Sequence, residues 1–388
     1  MAQAAAKKKK KRKRRISAQG MVLIFVMLLV TMLGVYGIIQ LLVGSPNSKE
    51  PAEEVVLIEE TESETEPPTE PPTEAPTEPP PLVEYPVNDG TARTVGEELD
   101  ADYAVLVDCD SHKILAQKNS DVRMYPASMT KLMTIIVAIE HTENFQDTFT
   151  MTQDILNDLW EQDASMVGFS AGEPCTVMDM LYGAALPSGA DATTGLAVYV
   201  AGSERAFVRL MNQKVKELGL KNTHFMNTSG LHDENHYSTA EDMAVILEYC
   251  LQNELCRQVI STVNYITTPT EEHPDGIYLL DTMFKRMNGD EVSGITIKGG
   301  KTGFTDEAGH CLASYAETPD GHCYIAVTSM GTDRFQTAYD AWWLYGTITG
   351  TYPENQDTEA ETIPEATLSP AAEISHDNSE ELTAVPAA

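Results

Sequence analysis

Ser128 and Lys131 stand three residues apart in "YPASMTKLMT", the only S-x-x-K in the chain. On a helix, positions i and i+3 share a face, so the amine can reach the hydroxyl. A serine hydroxyl is a poor nucleophile until a base takes its proton. A lysine can be that base only where burial or a nearby cation lowers its pKa. The apolar run after Lys131 supplies burial. The helix N-terminus turns backbone N–H groups toward the serine, where they can stabilise an oxyanion. The chemistry is serine acyl transfer; the plain alternative is a capping serine with a solvated lysine.

Two further stretches bear on that choice. "IKGGKTGFTDEAGHC" carries Lys301, Thr302, Gly303 and Phe304 on an expected strand. A cation and a hydroxyl there could line a cleft for an anionic substrate, and Gly303 leaves room for close backbone approach. A charged edge strand with a glycine bulge would look the same. "LPSGADA" puts Ser188 on a loop between two helices, where spacing alone reads as a turn.

The elements that must hold these residues can be read coarsely. "YAVLVDCD" and "ILAQKN" flank a turn and predict a β-hairpin over about 103–118. Pro126 fits the first turn of a helix running to about His141. Helices follow in "TVMDMLYGAAL" and "ADATTGLAVYVAG", broken at Pro187–Gly189. Another is expected in "SERAFVRLMNQKVKELGL" with Ser203 as N-cap, and one in "STAEDMAVILEYCL" with a Ser238 cap and Glu241 three residues on. Strands return in "GITIKGGKTGF", "HCLASYAE" and "HCYIAVTSM", and a helix closes at about 333–347. Strands, a block of helices, then antiparallel strands make an α+β domain with a helical insertion.

The ends are of another character. Residues 1–20 form a basic tail, every position from Lys7 to Arg15 being Lys or Arg. Residues 21–43 are an uncharged apolar run. At about 1.5 Å per residue it can cross a hydrocarbon core of roughly 30 Å, and the basic cluster ahead of it would keep the N-terminus in the cytoplasm. Residues 44–94 include "TEPPTEPPTEAPTEPPP", expected as an extended polyproline-like stalk. Residues 95–350 form the folded domain, and 351–388 an acidic tail expected to be disordered.

The chain has 26 Lys+Arg against 59 Asp+Glu, a net charge of −33, which argues against nucleic acid as a partner. Its six cysteines have no C-x-x-C metal spacing; their pairing is open, and buried free thiols are as good a reading as disulfides. "HDENH" has histidines at i and i+4 (His232 and His236), but Asp233 stands where a zinc helix needs Glu and the setting is a loop. No metal or other cofactor is expected.

In this order, S-x-x-K, a middle serine motif and K-T-G resemble the penicillin-recognising serine peptidases. The branch is that of the low-molecular-weight D-alanyl-D-alanine carboxypeptidases of peptidase family S11, and the likeness covers about residues 95–348. It extends to "LGLKNTHFMNTSGLHDENHYSTAEDMA" and "KTGFTDEAGHCLAS". The resemblance implies the β-lactamase/D,D-peptidase-like transpeptidase fold, an antiparallel sheet with flanking helices and a helical subdomain. It implies Ser128 as acylated nucleophile, Lys131 as general base and Ser188 as proton relay. Lys301 and Thr302 would bind substrate beside Gly303, the backbone N–H of Ser128 and Phe304 would form the oxyanion hole, and Arg334 would meet the terminal carboxylate.

The resemblance further implies removal of the terminal D-alanine from peptidoglycan stem peptides, inhibition by β-lactams, and an extracytoplasmic domain on a single-pass membrane anchor. In one place the chain departs from the pattern. The family's middle motif reads Ser-x-Asn, whereas the third position here is Ala190. Losing that amide's hydrogen bonds costs about 1–3 kcal/mol, roughly tenfold to a hundredfold in rate. A slow enzyme or an inactive penicillin-binding wall protein is therefore one alternative, and a β-lactamase-like hydrolase another; no Glu-x-x-x-Asn segment between the second and third motifs supports the latter.

Overall fold

The expected hairpin is present as β2 (Tyr103–Asp108) and β3 (Lys113–Lys118), preceded by a two-residue β1 (Arg93–Thr94). The computed structural model describes residues 82–352 apart from 288 and 290. The basic tail, the apolar run 21–43, most of the stalk and nearly all of the acidic tail lie outside the described residues. Among the described residues no helix is long and apolar enough to cross a membrane. Packing begins ahead of residue 95: Val83 is buried, and the Tyr85 hydroxyl donates to Asp242 at 2.8 Å. The described end of the expected stalk is thus attached to the domain.

After Pro126 the chain makes a 3₁₀ turn (Ala127–Thr130) and then α1 (Lys131–Glu140), so the first turn of the expected helix is 3₁₀ rather than α. A small hairpin of β4 (Thr148–Thr150) and β5 (Pro174–Thr176) encloses α2 (Gln153–Glu161). Then come α3 (Val177–Ala185), α4 (Ala190–Ala201) and α5 (Glu204–Glu217), the last capped by Ser203 as expected. Next are α6 (Ala240–Gln252), α7 (Glu254–Ile260) and a second short hairpin, β6 (Asn264–Ile266) with β7 (Tyr278–Leu280). The cap of α6 is Thr239, not Ser238: Thr239 accepts from the Asp242 N–H at 3.0 Å. Ser238 is still extended, exchanging backbone bonds of 2.8 and 2.9 Å with Met124.

The chain ends in three strands, β8 (Thr296–Thr305), β9 (Gly309–Glu317) and β10 (Cys323–Gly331), and helix α8 (Arg334–Thr349). The main sheet has the order β1-β3-β2-β10-β9-β8, with only β1 and β3 parallel. Both faces are buried, which is why β2 and β10 read as apolar runs instead of alternating. Val105 and Val107 face α1, α6 and the helical unit; Ala104 and Leu106 face Leu344 and Tyr345 of α8. The Tyr345 hydroxyl donates to the Ser314 carbonyl at 2.8 Å and accepts from the Ala326 N–H at 3.2 Å, so this buried ring keeps no unpaired polar atom. The result is the expected α+β fold, with the site where the helical unit meets β8.

Candidate active site

Every residue of α1 from Lys131 to Ile139 is buried, so the lysine that opens the helix lies under the protein surface. Its Nζ donates to the Ser229 carbonyl at 2.6 Å and lies 2.8 Å from the Ser128 Oγ. Burial, and then the positive charge of Lys301, hold the Lys131 amine well below the usual lysine range; Asp191 opposes them. A neutral amine suits this geometry. It can give one N–H to Ser229 and turn its lone pair to the Ser128 hydroxyl, which is the arrangement a base needs.

The turn carrying Ser128 is held under strain. Ala127, just before it, has φ +46°, in the left-handed region that residues with a Cβ avoid. Gly230 (φ +84°) packs so tightly that a Cβ there would come within 1.8 Å of the Ala127 carbonyl oxygen. The 229–230 turn is set by Asn227, whose Oδ1 accepts from the Gly230 N–H at 2.8 Å and whose amide donates to the Leu231 carbonyl at 2.8 Å. On the other side, a Cβ at Gly303 of β8 would stand 3.0 Å from the Ser128 nitrogen. The glycine therefore lets strand and turn lie against each other, as its place in K-T-G suggests.

Ser188 lies between α3 and α4 with φ +66°, buried, its Oγ without a hydrogen-bond partner among the described residues. A strained backbone and an unsatisfied buried hydroxyl mark a group kept for something other than stability. Gly189 is required beside it, because a Cβ would reach within 2.9 Å of the Val167 nitrogen. Two residues on, the buried Asp191 carboxylate accepts from the N–H groups of Val167 (2.9 Å), Gly168 (3.1 Å) and Ala192 (2.9 Å), pinning the segment between α2 and β5 to the start of α4. Ala190 contributes only a buried methyl group, so the third position of the middle motif offers no hydrogen bond.

Lys301 is also buried. Burial lowers its pKa to about 8, with Asp281 acting to raise it and Arg286 to lower it. Next to it the Thr302 hydroxyl meets the Thr282 hydroxyl at 2.6 Å. Phe304 is half exposed and stacks on His310, ring centroids 4.4 Å apart. Arg334, at the start of α8, stands over the Phe335 ring and lines a narrow crevice with Thr302 and Arg286. Asp333 caps α8 by accepting from the Phe335 N–H at 2.8 Å.

The residues singled out by sequence therefore gather from the 3₁₀ turn, α1, the α3–α4 loop, β8 and the start of α8. Sequence reasoning missed the Ser229 carbonyl, Asp191, Thr282 and Arg286; the "NTSG" turn was the only local signal for any of them. The histidines of "HDENH" part company. His232 stands edge-on to Tyr125, whereas buried His236 accepts from the Met226 N–H, so its Nε2 carries the proton and donates to the Thr130 hydroxyl at 2.8 Å. Among the described residues no cluster of three or more His, Cys, Asp or Glu is placed to hold a metal.

Residues 90–333 match the family model described as D-alanyl-D-alanine carboxypeptidase, peptidase S11. The chain is 36% identical over 246 residues to the D-alanyl-D-alanine carboxypeptidase DacF of Bacillus subtilis, covering 62% of this chain and 60% of that one. To DacA of Escherichia coli it is 35% identical, covering 62% and 58%. The match thus spans about three fifths of these relatives' length. Among solved structures, penicillin-binding protein 5 of Haemophilus influenzae superposes with a TM-score of 0.59 at 27% identity, over 66% of this chain and 72% of that one. The Streptomyces K15 DD-transpeptidase does so with a TM-score of 0.57 at 26% identity, over 65% and 98%. The chain belongs to the D-alanyl-D-alanine carboxypeptidases of peptidase family S11.

Proposed function

We propose that this chain is a serine-type D-alanyl-D-alanine carboxypeptidase that removes the terminal D-alanine from peptidoglycan stem pentapeptides. The observation that carries the reading is the buried, depressed Lys131 amine 2.8 Å from the Ser128 hydroxyl, in a chain of this family. Lys131 takes the Ser128 proton as Oγ attacks the carbonyl between the two D-alanines. The backbone N–H groups of Ser128 and Phe304 receive the oxyanion. The proton returns to the leaving amine of D-alanine through Lys131 and the unpaired Ser188 hydroxyl, and water then releases the acyl group by the reverse sequence. Lys301, Thr302 and Arg334 hold the substrate's terminal carboxylate through charge-assisted hydrogen bonds.

The same serine would be acylated by β-lactams. The apolar run 21–43 would anchor the chain in the membrane with the domain outside, and the stalk would let it reach the wall. Incubation with a labelled penicillin followed by peptide mapping tests the reading: the label should sit on the peptide holding Ser128 and persist. Fast turnover of nitrocefin without a lasting adduct would favour a β-lactamase instead. Penicillin binding without D-alanine release would favour an inactive wall protein, the reading that Ala190 motivates.

A further inference from the structure

Four of the six cysteines, Cys175, Cys250, Cys256 and Cys311, are buried; Cys109 and Cys323 are partly exposed. These two face each other across the sheet. Tyr324 and Asp108 are paired in the β10–β2 ladder, which makes Cys323 and Cys109 the next rung, and the Cys109 N–H donates to the Cys323 carbonyl at 3.1 Å. Opposed residues on antiparallel strands have Cα atoms about 4.5–5.5 Å apart, inside the window a disulfide spans. The side chains already point at one another, with Sγ atoms 3.3 Å apart. Bonding distance for sulfur is about 2.05 Å, so closing the bond needs a relative shift of roughly 1.3 Å. That is within reach of small χ1 rotations at a strand end. The neighbouring rung is already tied, as the His322 ring meets the Asp110 carboxylate at 2.6 Å.

We propose that Cys109 and Cys323 are the site of a structural disulfide, formed by exchange with a small disulfide, that staples the start of β10 to the end of β2. The Cys323 thiolate attacks one sulfur of glutathione disulfide, giving a mixed disulfide and releasing one glutathione thiolate. Cys109 then loses its proton to solvent and displaces the second glutathione. Two protein thiols are oxidised, and their two electrons leave in the reduced glutathione. The bond closes a ring of chain that contains Ser128, Lys131, Ser188 and Lys301, because the two strands are central in the sheet but far apart in sequence. It restrains the unfolded chain over a long loop, the condition under which a cross-link stabilises most. The pair lies at one end of the ladder, whereas Lys301 aligns through Ala313 with Val327 and Val105 further along, so the staple acts on the frame and not on the cleft.

The test does not depend on the enzymatic reading. The reduced full chain is equilibrated with oxidised and reduced glutathione, quenched, alkylated and mapped by mass spectrometry. A peptide linked through Cys109 and Cys323 is expected, with the other four cysteines recovered as alkylated thiols. Reductant should lower the midpoint of thermal unfolding by several degrees in wild type and leave it unmoved in Cys323→Ser and Cys109→Ser. Recovery of Cys109 and Cys323 as free thiols or separate glutathione adducts would overturn the proposal. So would a cross-link at Cys250 and Cys256 in their place, or an unfolding midpoint that ignores reductant when the 109–323 link is present.

Discussion

Lys131 and Lys301 are both buried, and the charge of Lys301 adds to burial in holding the Lys131 amine down. Two buried lysines close together cost stability, and a pKa depressed by desolvation and by a neighbour is what turns an amine into a base. In the proposed mechanism the pair divides the work: one amine is needed neutral, the other charged.

A bell-shaped rate profile should result. Activity should rise with pH as Lys131 loses its proton and fall as Lys301, with a pKa of about 8, loses the charge that binds the substrate carboxylate. Lys301→Gln removes the like charge, so the acidic limb should move to higher pH while KM rises. A pH series of kcat and kcat/KM on both proteins checks this. An acidic limb that does not move would sink the coupling.

The same depression carries a stability cost with a definite sign. The folded pKa of Lys301, about 8, lies below its unfolded value of 10.5, so the unfolded chain binds more protons between those limits. Stability contributed by this group is therefore lowest below pH 8 and recovers as pH rises toward 10.5. Lys301→Met should stabilise the domain near neutral pH, by roughly 1–3 kcal/mol, while abolishing most activity. Urea unfolding at pH 7 and pH 10 measures it; a gain that is equal at both pH values would contradict the argument.

Gly230→Ala should damage both fold and site. A methyl group at φ +84° collides with the Ala127 carbonyl, and relief can come only by moving the turn that presents Ser128. A loss of at least about 2 kcal/mol and of more than tenfold in acylation is expected. Gly303→Ala, whose Cβ would meet the Ser128 nitrogen at 3.0 Å, should cost activity more than stability. Thermal unfolding and the rate of penicillin acylation separate the two. Near-native acylation in both variants would show that backbone approach is not what the glycines provide.

Ala190→Asn restores the amide that this family usually carries. If the missing hydrogen bonds limit acylation, the variant should react about tenfold or more faster with peptide and penicillin alike. An unchanged rate would mean that other groups already do the amide's work.

Arg334→Leu and Arg286→Met both remove a cation from the crevice beside Thr302. Arg334→Leu should raise KM for peptides ending in a free carboxylate and change little for the corresponding carboxamide. Arg286, pressed by burial and by Arg334 below its ordinary pKa, should show the same pattern more weakly. Equal losses on carboxylate and carboxamide would mark either residue as structural only.

How far the sequence reached depends on what each residue contributes. Ser128, Lys131, Lys301 and Thr302 are proposed to act through side chains in fixed local spacings, which is why the sequence singles them out. Ser229 acts through its carbonyl, which any residue can supply, and only the Asn227 turn makes it available. Thr282 and Arg286 come from "DTMFKR", a segment with no periodicity, and reach the cleft only because β7 and β8 fold beside it. The hairpins β4–β5 and β6–β7 have three residues per strand, too few for an alternating pattern to register. The α6 cap was misplaced by one residue because Ser238 and Thr239 are equivalent as caps, and the bridge to Met124 decided between them.

The account rests on Ser128 as the nucleophile that Lys131 activates. The most direct measurement is D-alanine released from a pentapeptide ending in D-Ala-D-Ala by wild type and by Ser128→Ala. Continuous release by wild type and none above buffer by the variant is the predicted result; release by Ser128→Ala at the wild-type rate would contradict it.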